Sequence, residues 1–189
     1  MPGGFGERGI EGMIETARIA REGLIPYLGI CLGMQIQVIE FARHILGLAD
    51  ANSTEFSPTT EHAVIDLMAD QHEVTNKGGT MRLGSYPAHL RSGSIVHGLY
   101  GDDVVHERHR HRFEMHARWA ESFESAGLKI SGLSPDGQLV EFVELDGHPY
   151  MVGTQAHPEF KSRPNRPHPL FVGLVDAAIK RAAERDASN

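Results

Sequence analysis

Residues 25–34 read Ile-Pro-Tyr-Leu-Gly-Ile-Cys-Leu-Gly-Met, and the cysteine at position 31 is the only one in the chain. The four residues before Gly29 form a short apolar run that is typical of a buried strand. From Met34 onwards, apolar residues recur every three or four positions, which predicts a helix. A strand, a Gly-x-Cys-x-Gly turn and a helix together form the pattern of a nucleophile elbow, whose tight turn strains the backbone of the central residue. The stretch therefore predicts an α/β fold that presents Cys31 as a nucleophile.

The position of Cys31 also suggests how reactive its thiol is. The residue would lie at the N-terminus of the helix, where partial positive charge favours the thiolate over the thiol. We therefore predict a reactive thiol with a low pKa. The alternative is a small buried hydrophobe, which is what an isolated cysteine usually is. The two flanking glycines, with a strand before them and a helix after, favour the nucleophile.

Composition restricts the class of protein. The chain has 189 residues, of which 40% are hydrophobic and 23% charged, so it suits one globular domain spanning 1–189. Its formal net charge of −7 argues against binding to nucleic acid or to an anionic membrane. A single cysteine excludes an internal disulfide and indicates a reducing compartment. With no apolar run of about 20 residues and no signal-peptide pattern, we expect a cytoplasmic protein.

The remaining patterns predict alternating helices and strands, with a loop over 77–84. The expected helices are 8–22, 94–100, 119–126 and 170–183, and the expected strands are 63–68, 85–90, 104–114, 128–132, 139–143 and 150–155. This order predicts an α/β domain with an open, mostly parallel sheet flanked by helices. The reactive group would lie at the carboxyl end of a strand.

His157 is the best-placed partner for the cysteine among the twelve histidines of the chain. It follows an apolar strand, so it would lie at the same edge of a parallel sheet as a nucleophile at a strand end. Glu159 is two residues further on, close enough to orient the imidazole through a hydrogen bond. The three residues predict a triad in the order Cys, His, Glu. The alternative is that His157 caps a strand and Glu159 is an ordinary surface acid.

Acyl transfer also needs hydrogen-bond donors for a developing oxyanion. The backbone N–H of Leu32, next to the nucleophile, is one natural donor. A second could come from Gly3 or Gly4, because glycine permits a close approach of the backbone. The alternative is that this glycine-rich start forms a tight turn and nothing more.

Several separate motifs resemble one family. The stretches 2–6 (Pro-Gly-Gly-Phe-Gly), 29–35 (Gly-Ile-Cys-Leu-Gly-Met-Gln) and 157–159 (His-Pro-Glu) are similar to class I glutamine amidotransferase domains, which have a flavodoxin-like architecture. More specific stretches resemble the glutaminase domains of CTP synthases: Ala-Asn-Ser-Thr-Glu-Phe at 51–56, Gly-Gly-Thr-Met-Arg-Leu-Gly at 78–84 and Glu-Arg-His-Arg-His-Arg at 107–112. The resemblance covers nearly the whole chain.

The resemblance implies hydrolysis of the side-chain amide of L-glutamine. Cys31 would form a glutamyl thioester, His157 would act as base and then acid, and Glu159 would orient it. The ammonia would pass to a partner synthetase domain, where ATP-activated UTP is aminated to CTP. ATP, Mg²⁺ and UTP would bind that domain, so this one is expected to hold no cofactor and no metal. The residues implied in holding glutamine are Gly4, Phe5, Leu32, Gly33, Met34, Gln35, Glu55 and Arg112.

Two of these residues carry charges opposite to those of the substrate, and one could cover the bound substrate. Glu55 matches the α-ammonium of glutamine and Arg112 its α-carboxylate, while Phe5 would close over the bound molecule. The family pattern also fails in places. The chain opens directly on the glycine-rich turn, so we expect an N-terminal truncation that removes the synthetase domain and the first strand of the glutaminase. The stretch 113–116 departs from the usual Tyr-Glu-Val-Asn continuation.

Other interpretations remain open. Four histidines at positions 106, 109, 111 and 116 suggest a metal site, but the arginines at 108, 110 and 112 disfavour another cation. If this stretch is a strand, the three arginines share one side and suit an anion or the partner domain. A stand-alone γ-glutamyl hydrolase and an inactive fragment are the alternative functions.

Overall fold

The computed structural model of the protein describes residues 1–67 and 81–187, which contain five helices and nine strands. The helices are α1 (Ile10–Glu22), α2 (Leu32–His44), α3 (Ile95–Tyr100), α4 (Ala120–Ser125) and α5 (Pro169–Ala187). The strands are β1 (Tyr27–Ile30), β2 (Asn52–Ser53), β3 (Ala63–Leu67), β4 (Arg82–Leu90), β5 (Val104–His111), β6 (Phe113–Glu114), β7 (Leu128–Leu133), β8 (Val140–Leu145) and β9 (Met151–Thr154). Short 3₁₀ turns cover Ala117–Trp119 and Pro158–Phe160.

Six strands form the main sheet in the order β1-β9-β8-β7-β4-β5, and β2-β3-β6 form a smaller one. The open α/β sheet with flanking helices is confirmed, but the main sheet differs from the mostly parallel one expected. Only the β1–β9 pair is parallel, and the other four pairs are antiparallel. The reason is the length of the connections: parallel neighbours need a crossover of about a dozen or more residues. Tight turns at Gly137 and Gly147 join β7 to β8 and β8 to β9.

The sheet separates two apolar clusters. Neighbouring residues of β9 show this, since Met151 belongs to the cluster under α1 and α2 and Val152 to the cluster under α3 and α5. Helix α2 is buried from Leu32 to Ala42, because α1 covers the side that faces away from the sheet. This enclosure holds the start of α2, and with it Cys31, in place.

The predicted elements are confirmed within a few residues, with some differences. The strand before Cys31 covers 27–30 rather than 25–28, and Asn52–Ser53 forms a short strand that the sequence patterns did not predict. Of the loop predicted over 77–84, Arg82–Gly84 belongs to β4, while positions 77–80 lie outside the described residues, as does position 68 of the predicted 63–68 strand. Among the described residues, no helix has both the length and the apolar character needed to cross a membrane.

Candidate active site

The elbow predicted around Cys31 is present between β1 and α2. Cys31 has φ 52° and ψ −104°, a backbone conformation that a non-glycine residue rarely adopts. A side chain at Gly29 would place its Cβ 2.6 Å from the carbonyl carbon and oxygen of Gly33. A side chain at Gly33 would overlap the carbonyl oxygen of Met1. The two glycines are therefore required by close backbone approach, and the turn keeps the cysteine in its strained conformation.

Burial dominates the electrostatics of the Cys31 thiol. The residue is 4% exposed, and this burial raises its pKa to about 12. The backbone N–H of Leu32 opposes the rise, whereas the carboxylates of Glu159 and Glu55 add to it. The low pKa expected from the helix N-terminus is therefore not found, because one backbone N–H does not replace the water that burial removes from the sulfur.

His157 and Glu159 form the expected pair just after β9. The Nδ1 atom of His157 lies 2.6 Å from Oε1 of Glu159, and the ring stacks on Phe160 at a centroid distance of 4.8 Å. The backbone N–H of His157 donates to the carbonyl of Arg108 at 2.8 Å, which ties this loop to β5. If Glu159 accepts from Nδ1–H, the lone pair lies on Nε2, which is buried without a hydrogen-bond partner in the described part of the chain. Nε2 is thus placed to take a proton.

The first residues of the chain lie beside both the cysteine and the histidine. A Cβ built on Gly3 would lie 2.9 Å from Cε1 of His157 and 3.5 Å from Cβ of Cys31. A Cβ on Gly4 would lie 3.0 Å from Cδ2 of Leu32. Met1 holds this segment along β1, because its amine donates to the carbonyl of Leu28 at 2.9 Å and its carbonyl accepts from Ile30 at 3.0 Å. Gly3 therefore lies beside both Cys31 and the imidazole of His157.

These residues surround a cavity of about 740 Å³. Eight of the eleven site residues named from sequence line it: Gly4, Phe5, Cys31, Gln35, Glu55, Arg112, His157 and Glu159. Leu32 and Met34 are instead buried in the core, and Gly33 packs against Met1, so these three can reach a ligand only through backbone atoms. Gly3, offered from sequence as an oxyanion donor, and Arg110, offered as an anion-facing residue, also line it. The sequence patterns did not assign four other lining residues to the site: Met81, His111, Phe113 and Phe160. His111 could have been predicted to face inward from the alternation of side chains along β5.

The cavity wall carries both signs of charge. Arg110 and Arg112 contribute guanidinium groups, and Glu55 contributes a carboxylate whose Oε1 accepts from the N–H of Gly6 at 3.0 Å. Phe5 stands at the cavity with 91% of its surface exposed. A ligand with an ammonium and a carboxylate, such as an α-amino acid, suits this arrangement.

The alternation of β5 places His106, Arg108 and Arg110 on one face and His109 and His111 on the other. Arg108 and Arg110 are exposed, while His109 and His111 are buried. Arg112, expected on the same side, follows the end of the strand and is half-buried. Within the described residues, no group of three or more His, Cys, Asp or Glu side chains is arranged to hold a metal ion.

A buried charge network lies behind His111. Arg82 donates to Glu141 at 2.5 Å and to Glu114 at 3.2 Å, and Nε2 of His111 lies 2.8 Å from Glu114. Burial and the charge of Arg82 lower the pKa of His111 to about 3 and that of His109 to about 2. Burial also raises the pKa of Glu141 to about 7. His111 therefore meets the cavity as a neutral ring at ordinary pH.

A family model, curated relatives and a solved structure all match this chain. A family model described as glutamine amidotransferase class-I matches residues 1–177. The CTP synthase of Chloroflexus aggregans is 63% identical over 180 residues, which are 95% of this chain and 33% of that protein. The CTP synthase of Methanococcus maripaludis is 61% identical over 181 residues, or 96% of this chain and 34% of that protein. The chain thus spans about a third of the length of these curated relatives.

A solved structure gives the same picture. The glutaminase domain of Trypanosoma brucei CTPS, solved with bound acivicin, superimposes with a TM-score of 0.88 at 38% sequence identity. The match covers 95% of this chain and 69% of that one.

Proposed function

The chain belongs to the class-I glutamine amidotransferase family, and we propose that it is the glutamine-hydrolysing part of a CTP synthase. The observation that carries the proposal is the shared cavity, in which the Cys31 elbow meets the hydrogen-bonded pair of His157 and Glu159. A nucleophile, a base and a carboxylate that orients the base are the parts that acyl transfer from an amide requires.

The first half of the proposed reaction forms a thioester. Nε2 of His157 takes the proton of the Cys31 thiol, and the thiolate attacks the side-chain amide carbon of glutamine. The carbonyl electrons move to oxygen, and we assign the backbone N–H groups of Leu32 and Gly4 as donors to this oxyanion. When the oxyanion collapses, the C–N bond breaks, and the imidazolium gives its proton to the leaving nitrogen. The products are ammonia and a glutamyl thioester on Cys31.

The second half releases glutamate. His157 now takes a proton from water, whose oxygen attacks the thioester carbon, and the C–S bond breaks to regenerate the thiol. Glu159 accepts from Nδ1 throughout, which keeps Nε2 directed at the reacting atoms. Because burial raises the pKa of Cys31, we expect the thiolate to form only as the proton moves to His157.

Residues along the cavity wall are proposed to orient the substrate. Glu55 suits the α-ammonium and Arg112 the α-carboxylate, at the part of glutamine that does not react. Gln35 lines the same wall, and Phe5 is proposed to cover the bound molecule, since it stands at the cavity with most of its surface exposed. Gly33 and Met34 are proposed to contribute backbone groups.

The activity of the whole protein follows from its relatives and is also a proposal. We infer that the ammonia passes to a synthetase domain, where ATP-activated UTP is aminated to CTP. ATP and Mg²⁺ would act in that domain, since the two thirds of the relatives outside this match are where such a domain would lie. We propose a cytoplasmic protein, because a reducing compartment keeps the single catalytic cysteine free.

The proposal is tested by labelling the purified chain with 6-diazo-5-oxonorleucine, an electrophile that mimics glutamine. We expect mass spectrometry to show one adduct, located on Cys31, whose formation is suppressed by free glutamine and unaffected by a γ-glutamyl peptide. The Cys31→Ser variant is the matched control and should give no adduct. A cooperatively folded sample that gives no glutamine-sensitive adduct would refute the proposal.

A further inference from the structure

Gln155 is a buried side chain that contacts the nucleophile. It directly follows β9 and is 0% exposed. Its Nε2 lies 3.8 Å from Sγ of Cys31, a hydrogen-bond distance for sulfur. Its Oε1 lies 3.3 Å from Nε2 of Gln35, whose same nitrogen donates to the carbonyl of Phe113 at 2.8 Å. A chain of hydrogen bonds therefore runs from a backbone carbonyl to the sulfur.

The donor and acceptor roles along this series of hydrogen bonds follow from the backbone carbonyl of Phe113. The carbonyl oxygen of Phe113 can only accept, so the atom of Gln35 that faces it must be the NH₂ group. That NH₂ has a second hydrogen, which requires an acceptor, so the carbonyl oxygen of Gln155 must face Gln35. The NH₂ group of Gln155 is then left to point at Cys31. The two amides thus present a donor, and not an acceptor, to the sulfur.

We propose that Gln155 is a further catalytic residue, whose side-chain amide donates a hydrogen bond to the Cys31 thiolate in the orientation that Gln35 imposes. This inference rests on the proposed function, in which Cys31 is the nucleophile. A thiolate accepts a hydrogen bond far more strongly than a thiol, so a fixed donor lowers the free energy of the reactive form selectively. Gln155 moves no proton and forms no covalent bond.

The surroundings of the sulfur explain why such a donor matters. Burial raises the pKa of Cys31, and the nearby carboxylates of Glu159 and Glu55 add to the rise. The backbone N–H of Leu32 is needed for the oxyanion once the sulfur has attacked. The side-chain amide of Gln155, in contrast, stays beside the sulfur throughout the reaction, because the side chain is buried. Its backbone is also held, since its N–H donates to the carbonyl of Glu141 at 3.0 Å. The position is rigid enough to hold the donor in place before the reaction starts.

The test compares two buried glutamines. Gln155→Met removes the donor at similar side-chain length. Gln37→Met makes the same change at a glutamine that is 1% exposed, donates to the carbonyl of Met151 at 3.3 Å and does not contact Cys31. The rate of Cys31 alkylation by iodoacetamide is followed by mass spectrometry across a range of pH, and thermal melts check that each variant folds.

We expect Gln155→Met to shift the alkylation profile to higher pH. A hydrogen bond to a charged group is worth about a tenfold change in the thiolate fraction. A thiolate of higher pKa is more nucleophilic, so the rate at fixed pH should fall about threefold to tenfold. Gln37→Met should match the parent profile. Gln155→Glu provides a second variant, since it keeps the acceptor for Gln35 and places a carboxylate at the sulfur, and it should slow alkylation further.

The role of Gln35 is tested in the same assay. Gln35→Met alone should slow alkylation, because it releases the amide of Gln155, and it should add nothing in the Gln155→Met background. Alkylation that is unchanged in a folded Gln155→Met variant, or slowed equally by Gln37→Met, would overturn the inference. Iodoacetamide needs neither glutamine nor turnover. Failure here would therefore leave the glutaminase proposal standing, and failure of glutamine-sensitive labelling would leave this result interpretable.

Discussion

Replacing Gly3 with alanine should slow glutamine hydrolysis while leaving all three residues of the proposed triad in the sequence. Gly3 lies beside both Cys31 and the imidazole of His157, and the added methyl would lie 2.9 Å from Cε1 of His157. Ordinary contact between carbon atoms is about 3.5–4.0 Å, so the ring or the Gly3 backbone must move by about 0.6–1.1 Å. The distance to Cβ of Cys31 would be 3.5 Å, an acceptable contact, so the movement occurs where Gly3 meets the histidine and changes the distance between them.

This displacement sets the size of the expected effect. A misplacement of about 1 Å at a reacting group costs on the order of 10²-fold in rate. Gly3 is exposed and lies in the irregular first segment of the chain, so the free energy of unfolding should change by less than about 1 kcal/mol. Glutamine hydrolysis and labelling of Cys31 by 6-diazo-5-oxonorleucine should therefore fall together, while the melting temperature stays close to that of the parent.

Two further glycines give a graded comparison. A methyl on Gly4 would meet only Cδ2 of Leu32, the end of a flexible side chain, at 3.0 Å, so Gly4→Ala should cost less than Gly3→Ala. Gly12 lies inside α1 with nothing within 4 Å of the added carbon, so Gly12→Ala should leave the rate unchanged. A folded Gly3→Ala variant with parental rates would refute the close contact of Gly3 with His157 as a determinant of the reaction.

Three other predictions concern the elbow and the buried charges. Cys31→Gly and Cys31→Ala both remove the sulfur, but φ is 52° at this position, a conformation that glycine adopts with less strain than alanine. The free energy of unfolding in urea should therefore be about 1–3 kcal/mol higher for the glycine variant than for the alanine variant. Equal stabilities would contradict backbone strain at Cys31. Arg82→Met should lower the free energy of unfolding by about 3–5 kcal/mol, because the buried carboxylates that it contacts lose its charge, and a loss below about 1 kcal/mol in urea denaturation would exclude this. The folded-state pKa values of His109 and His111 are lowered, so between about pH 6.5 and pH 5 each histidine binds fewer protons in the folded state than in the unfolded state. Each therefore removes about 1.4 kcal/mol from the free energy of unfolding for every unit by which the pH falls. The folded-state pKa of Glu141 is raised, so this group adds stability as the pH falls and offsets the contribution of one histidine. The free energy of unfolding should therefore fall by about 1.4 kcal/mol for each unit by which the pH falls. A flat profile in urea denaturation would count against this prediction.

The residues that carry the proposed chemistry could be predicted from local sequence patterns. Gly29 is required by its close approach to Gly33 and Met34, so the elbow could be predicted from a strand, a turn and a helix in one short segment, whereas the contact of Gly33 with Met1 comes from the tertiary structure. His157 and Glu159 are two positions apart, and their hydrogen bond is equally local. The alternation of β5 likewise separated Arg108 and Arg110 from the buried histidines, because side chains along a strand point to opposite faces.

The enclosure of these residues depends on contacts between distant parts of the chain. Gln155 and Cys31 are 124 positions apart, and Gly3 and His157 are brought together by the pairing of Met1 with β1. The mainly antiparallel sheet depends on which strands meet, which apolar patterns alone do not specify. The raised pKa of Cys31 depends on the same enclosure, since a local pattern shows the N–H group at the start of the helix but not the water that the surrounding core excludes.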